Sequence, residues 1–503
     1  MGFAQILSRA ETGLAAPLVR VEVHLGSGLP TFNIVGLAAT VVRESRERVR
    51  AALAHCGFAF PAGRITVNLA PADLPKEGGR FDLPIAVGIL VASGQMQPDC
   101  DLAATEFYGE LGLTGELKPV AGLLLAALHA ARAAHALVVP RADLPALRIV
   151  EGSSVRGLMH LSELTEPQCM AVVPWIESGT CAEPPAMADL DLADVRGQWQ
   201  ARRALVIAAA GGHALLMCGP PGSGKSMLAQ RLPGLLPPLT REESLEVAAI
   251  AAVARTQISC SQGAGRPFRA PHHTASAHAI VGGGMAVRPG EVSLAHHGVL
   301  FLDELPEFDR RVLEALREPL ESGTVSVVRA NQRAQYPASF QLVAAMNPCP
   351  CGRAGQVRPR CECPPQKVRH YRARISGPLL DRIDLQLQLP AVDADALACA
   401  VVSADSGQMT TAQARARVCA ARARQQQRQG VCNARLGPAE TLQHCTAEPA
   451  GLQLLRLAVE KQGHSARAQH RILRVARSIA DLAARDQVTA ADVAEALAMR
   501  WGA

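Results

Sequence analysis

The chain has 503 residues, of which 49% are hydrophobic and 19% charged, with a formal net charge of +6. Such a length exceeds what one core organises and implies roughly two to four domains. No apolar run approaches the ~20 residues that cross a bilayer, no basic-then-apolar leader opens the chain, and three Trp with three Tyr argue against broad stacking platforms for nucleic-acid bases.

Fourteen Cys without an export signal are expected to be reduced cytosolic thiols or metal ligands rather than disulfides. A cytoplasmic, membrane-free protein is therefore expected. From the N-terminus, Val19-Arg-Val-Glu-Val23 alternates apolar and polar residues as a half-buried strand does. Val42–His55 has helical spacing, and Arg64–Leu69 reads as a second strand. The apolar run Leu83–Ala92 is too short for a membrane span. Residues 1–175 thus read as a compact α+β domain.

Pro and small residues around Cys181-Ala-Glu-Pro-Pro185 mark a linker over 176–193. Asp194-Val-Arg-Gly-Gln198 opens a helical stretch to Ala210. Strands and helices then alternate to Pro390, so residues 194–390 should hold a mainly parallel sheet. Residues 391–503 are helical, and Thr489-Ala-Ala-Asp492 has the pattern of a capping box. Between Ser406 and Ala439 stand six Arg (415, 417, 422, 424, 428, 435) and no acid. They form either a solvated helix face or a surface that meets phosphates.

Gly219-Pro220-Pro221-Gly222-Ser223-Gly224-Lys225-Ser226 fits the phosphate-binding pattern G-x-x-x-x-G-K-[ST]. It follows the apolar run Ala214–Cys218 and precedes the helical run Met227–Leu232, the context that pattern requires. Glycines let backbone N–H groups wrap the phosphates, and the helix N-terminus adds a favourable dipole. Lys225 should reach the β- and γ-phosphates, while Ser226 should ligate Mg²⁺. The second half of the site is Gly298-Val-Leu-Phe-Leu-Asp303-Glu304, four apolar residues ending in two acids. Asp303 should hold Mg²⁺ through water, and Glu304 should activate the attacking water. Buried adjacent acids without partners would be costly, which argues against a structural role alone. Seventy-eight residues separate positions 225 and 303, so inserted elements are expected, with Arg266–Gly290, including Gly282-Gly-Gly284, as the candidate.

Pro267-Phe-Arg-Ala-Pro-His-His-Thr274, Arg288–Gly298 and Leu302-Asp-Glu-Leu-Pro-Glu-Phe308 resemble the magnesium-chelatase-like AAA+ ATPases. The fuller resemblance is to the bacterial ComM/YifB group and covers nearly the whole chain. It implies a ring-forming homo-hexamer that hydrolyses ATP to drive branch migration on single-stranded or branched DNA. The setting implied is homologous recombination and natural transformation, with recombination proteins as further partners. By the same resemblance Asn347 is a sensor of the γ-phosphate, Arg382 in Gly377–Asp384 an arginine finger, and Arg467 a second sensor on a C-terminal helical lid. For each Arg the alternative is a surface salt bridge.

Residues 1–175 resemble the Lon-protease-like fold related to ribosomal protein S5, through Leu74–Arg80 and Gly109–Gly122. The positions matching the family's Ser nucleophile and Lys base hold Arg80 and Ala126, so no peptidase activity is expected. Cys349, Cys351, Cys361 and Cys363 form two C-x-C pairs that could hold Zn²⁺, or else are incidental. Thr324–Pro337 reads as a β-hairpin with Arg329 and Arg333 near its tip, either a DNA-tracking element or an ordinary exposed hairpin. Two other functions compete: the ATPase subunit of a magnesium-chelatase-type metal-insertion complex, and a regulatory AAA+ scaffold.

Overall fold

The computed structural model describes residues 2–36, 40–76, 78–97, 100–152, 154–165, 190–254, 265–283, 287–329, 332–354, 360–390, 409–462 and 466–500. The expected linker, 176–193, lies almost wholly outside them. The chain divides into two units, Met1–Ala182 with Ala248–Gln262, and Glu183–Val247 with Gly263–Ala503.

Among the described residues the first unit is built on nine strands: β1 (Gly2–Arg9), β2 (Leu18–Gly26), β3 (Thr31–Val35), β4 (Arg64–Ala70), β5 (Thr105–Phe107), β6 (Glu110–Leu111), β7 (Leu117–Lys118), β8 (Ala136–Pro140) and β9 (Val155–Leu158). Seven form one sheet in the order β3-β4-β2-β1-β5-β8-β9, and β6 pairs only with β7. The pairs β1–β2 and β2–β4 are antiparallel. Strand alternation follows from side-chain period: Val19, Val21 and Val23 face the core while Arg20 and Glu22 point away from it. The apolar run after Arg80 folds as the core helix Asp82–Ala92, buried from Asp82 to Leu90. Arg80 donates to Glu11 Oε2 and to the Ala121 carbonyl, both at 2.7 Å. Ala126 is buried in the helix Leu123–Arg132. Neither position supplies a nucleophile or a base.

The second unit contains β10 (Leu215–Cys218), β11 (Phe268–Arg269), β12 (Gly282–Gly283), β13 (Arg288–Pro289), β14 (Val299–Leu302), β15 (Thr324–Arg329), β16 (Gln332–Pro337), β17 (Gln341–Met346) and β18 (Leu385–Gln388). Five of them make an all-parallel sheet in the order β11-β14-β17-β10-β18. Continuous apolar runs produce this, because a parallel sheet is covered on both faces. Every residue of β10, β14 and β17 is buried. The expected insertion is present between β11 and β14, as the helix Ala277–Val281 and the small β12–β13 ladder; Gly284 lies outside the described residues.

One hydrophobic core runs from this sheet into the C-terminal helices Thr411–Gln429, Pro449–Gln462, Ala466–Leu482 and Ala490–Ala498. Residues 409–500 therefore pack with the sheet as part of the second unit. Thr489 N and Oγ1 both donate to Asp492 Oδ2 at 2.8 Å at the start of the last helix. Three of the six clustered Arg are consumed by the fold: Arg422 donates to the Ala209 carbonyl, Arg424 to the Asp481 carbonyl, and Arg428 to the Asp481 carboxylate. Arg415 and Arg417 are exposed. Among the described residues no helix is long and apolar enough to cross a membrane.

Candidate functional site

Parallel pairing aligns the C-terminal ends of β10, β17 and β14, with Cys218 beside Met346 and Leu302 beside Ala344. The loop Gly219–Gly224, Asn347 and Asp303 leave those ends together, at the sheet edge where open α/β folds bind ligands. Because β17 lies between β10 and β14, Asn347 is inserted between the lysine and the acids.

Gly224 caps the helix Lys225–Leu235 with φ 85°, a left-handed conformation that a Cβ would penalise. Lys225 is 8% exposed, and its Nζ donates to the carbonyls of Gly219 (2.7 Å) and Pro220 (2.9 Å) and to Asn347 Oδ1 (3.3 Å). Burial pushes this ammonium below its usual pKa, against the nearby charges of Asp303, Cys218 and Glu304. Ser226 Oγ donates to Asp303 Oδ2 at 2.7 Å. Two oxygens in that relation form a donor set suited to a divalent cation. Ser223 Oγ is buried with no partner among the described residues.

The two acids are less enclosed than their apolar strand suggests. Asp303 is half-buried, and the Glu304 side chain is 50% exposed. The cost of burying paired acids therefore does not mark this position. What marks Glu304 is its backbone, in the left-handed region at φ 52°, ψ 45°. Its N–H donates to Asp303 Oδ1 at 2.9 Å, and its Oε2 meets His273 Nδ1 at 3.2 Å. His273 follows the edge strand β11, and in the sequence it stands out only as one of the residues of the segment Pro267–Thr274.

Arg382 stands apart from this group. It is 9% exposed, donates to the Pro378 carbonyl at 2.7 Å, and forms an ion pair with Glu321. Arg471 donates to the Arg382 carbonyl (2.8 Å) and to Asp384 Oδ1 (2.7 Å). Burial alone would raise the Asp384 pKa, but His213 and Arg471 hold it well below the carboxylate range. The chain of contacts continues through His213, which meets Ser478 Oγ at 2.7 Å. Arg467 is exposed on the helix Ala466–Leu482, and its charge reaches Glu321. Arg329 and Arg333 occupy the far end of the β15–β16 ladder, paired with Gln332 and Val328 respectively; the intervening turn is outside the described residues.

The four predicted cysteines converge, with all four sulfurs within 4.8 Å of one another. Cys349 Sγ lies 3.3 Å from Cys351 Sγ and 3.5 Å from Cys361 Sγ. Tetrahedral thiolates on Zn²⁺ have sulfurs ~3.8 Å apart, so the donor set fits that ion. Gly352, inside the first pair, is backed against the phosphate loop: a Cβ there would come within 2.6 Å of Pro221 Cδ. A second cluster, Glu246 with His296 and His297, also brings its ligand atoms within 4.8 Å of one another. Ser339 N–H donates to His296 Nδ1 at 2.9 Å, which leaves the proton on Nε2, the atom that faces Glu246 at 3.0 Å. That group is a hydrogen-bond clamp.

Three family models match the chain: magnesium chelatase subunit ChlI over 191–397, subunit ChlI of Mg-chelatase over 21–143, and the ChlI C-terminal region over 408–500. The competence protein ComM of Haemophilus influenzae is 45% identical over 99% of this chain and 98% of its own length. The uncharacterised protein YifB of Escherichia coli is also 45% identical, over 99% and 97%. The chloroplastic magnesium-chelatase subunit ChlI-2 of Arabidopsis thaliana is 25% identical over 43% and 45%.

Proposed function

The chain belongs to the ComM/YifB family of magnesium-chelatase-like AAA+ ATPases, and from that premise we propose that it is an ATP-driven DNA motor of recombination. The observation that carries the reading is the convergence of Lys225, Ser226, Asp303 and Asn347 at one sheet edge. Bound there, the triphosphate takes Lys225 in exchange for its two carbonyl partners. Ser226 and Asp303 would hold Mg²⁺, which would neutralise phosphate charge. Glu304, steered by His273, accepts a proton from the attacking water, and Asn347 orients that water.

The remaining roles belong to an assembly. Arg382 serves a neighbouring subunit's nucleotide in a homo-hexameric ring, Arg467 is the second sensor on the helical lid, and Arg329 and Arg333 track DNA phosphates. Cys349, Cys351, Cys361 and Cys363 would hold one Zn²⁺, and the loop behind Pro221 would be braced by it. Elemental analysis of fresh protein should find about one zinc per chain; a value near zero removes the metal. The first unit, read as a Lon-like fold without its dyad, arranges the ring or contacts DNA or a partner. The name of the ComM relative supports natural transformation as the setting. The chelatase reading is weaker, because the plant chelatase subunit aligns with less than half of this chain.

ATP turnover should be measured without DNA, with single-stranded DNA and with a branched junction, beside Lys225→Ala. Stimulation by DNA, absent in Lys225→Ala, is the expected result. Intact basal turnover that no DNA changes would overturn the motor and favour the chelatase or scaffold function.

A further inference from the structure

Arg382 is already committed within its own chain, to a carboxylate that no motif singled out. Glu321 is in the last turn of the helix Arg317–Ser322, and its side chain is 55% exposed while that of Arg382 is 9% exposed. The Arg382 backbone is fixed by Arg471, which Asp384 holds in turn. Its guanidinium is less settled, since Nε is buried without a partner among the described residues. A guanidinium held mainly by one half-exposed carboxylate can exchange it for a phosphate, which offers the same fork of oxygens and more charge. Arg467 and Arg471 also act on Glu321, so the carboxylate occupies the focus of three cations.

Glu321 is also tied to the β15–β16 hairpin. Ser322 Oγ donates to the Thr324 carbonyl at 2.9 Å and accepts from Thr324 N–H at 3.2 Å. Ala338 N–H returns to the Gly323 carbonyl at 2.7 Å, closing the hairpin's base. Only Ser322 and Gly323 separate the carboxylate from β15, so a displacement of the hairpin is carried to the ion pair.

We propose that Glu321 is a positioning residue: an internal counter-ion that withholds Arg382 from the neighbouring nucleotide until the hairpin engages a nucleic-acid backbone. This rests on the reading of Arg382 as a finger acting between subunits. A side chain shared between two anions serves the second only in proportion to the time it leaves the first. Neutralising the first anion therefore raises DNA-independent turnover.

The test uses full-length protein carrying Glu321→Gln or Glu321→Asp, each also combined with Arg382→Ala. Glu321→Gln should raise kcat without DNA roughly two- to fivefold, the range of a partly exposed ion pair, and shrink DNA stimulation by the same factor, and Glu321→Asp, which keeps the charge on a shorter arm, should do both to a smaller extent. In the Arg382→Ala background neither should alter turnover, because Glu321 acts only through Arg382. Basal kcat that is unchanged or lower in the soluble single variants overturns the proposal. So does a further loss in the double variants, which would mark Glu321 as a structural residue. If wild-type turnover ignores DNA, the motor reading fails separately, and the latch is still judged by basal kcat and the double variants.

Discussion

At Glu304 the chain accepts a left-handed backbone in a residue with a full side chain, two positions beyond a buried strand. That geometry turns the carboxylate away from the apolar interior and toward His273. Glu304→Gln keeps the shape and the hydrogen bond but removes the base. Turnover should fall ~10²- to 10⁴-fold while nucleotide affinity stays within about threefold. Phosphate-release kinetics beside an equilibrium binding measurement would check both halves. A fall of less than about tenfold would remove Glu304 from the proton-accepting role. Lys225, Ser226 and Asp303 were legible in the sequence because a short pattern and an apolar strand announce them. His273 and Glu321 were not, because their partners lie far away in the chain: 61 residues separate Glu321 from Arg382.

The helix Arg241–Ala254 is clamped to the start of β14 by side chains that no pattern marked. Glu246 Oε2 meets His296 Nε2 at 3.0 Å and His297 Nε2 at 2.7 Å. Burial pushes the His296 imidazole down to about 4; His297 adds to the effect and Glu246 opposes it. Unfolded, an imidazole titrates near ~6.5. The folded value is the lower one, so the unfolded chain binds more protons in the interval between them. The stabilisation is complete above pH ~6.5 and is lost as pH falls toward 4, by at most ~1.4 kcal/mol per unit. Melting temperatures should therefore drop between pH ~7 and ~5, and His296→Gln should flatten that drop while lowering the neutral-pH value. Parallel curves for the two proteins would contradict this account. The Arg-rich helix teaches a related lesson. Its sequence showed charge without partners, whereas Arg422, Arg424 and Arg428 find theirs on elements more than fifty residues away.

For the whole molecule, the mixed first sheet and the parallel second sheet could be anticipated from strand periodicity and from apolar runs alternating with helical ones. Strand order could not. Nothing local tells β10 that its neighbours will be β17 and β18 rather than β11, since pairing partners are chosen by crossover helices and by the packing of both faces. The shared core of sheet and C-terminal helices was equally hidden, because a helical pattern reports its own apolar face and not what covers it.

The same strand order bears on how the protein is made. The positions of Cys218 and its β17 partner Met346 are 128 residues apart, and β18 is later still. At roughly 5–20 residues per second, the ribosome needs ~6 to 26 s to supply the first neighbour after β10 has been synthesised. Throughout that time an apolar strand and the glycine-rich loop attached to it stay unpaired, so nascent chains depend on being shielded until synthesis has passed β17.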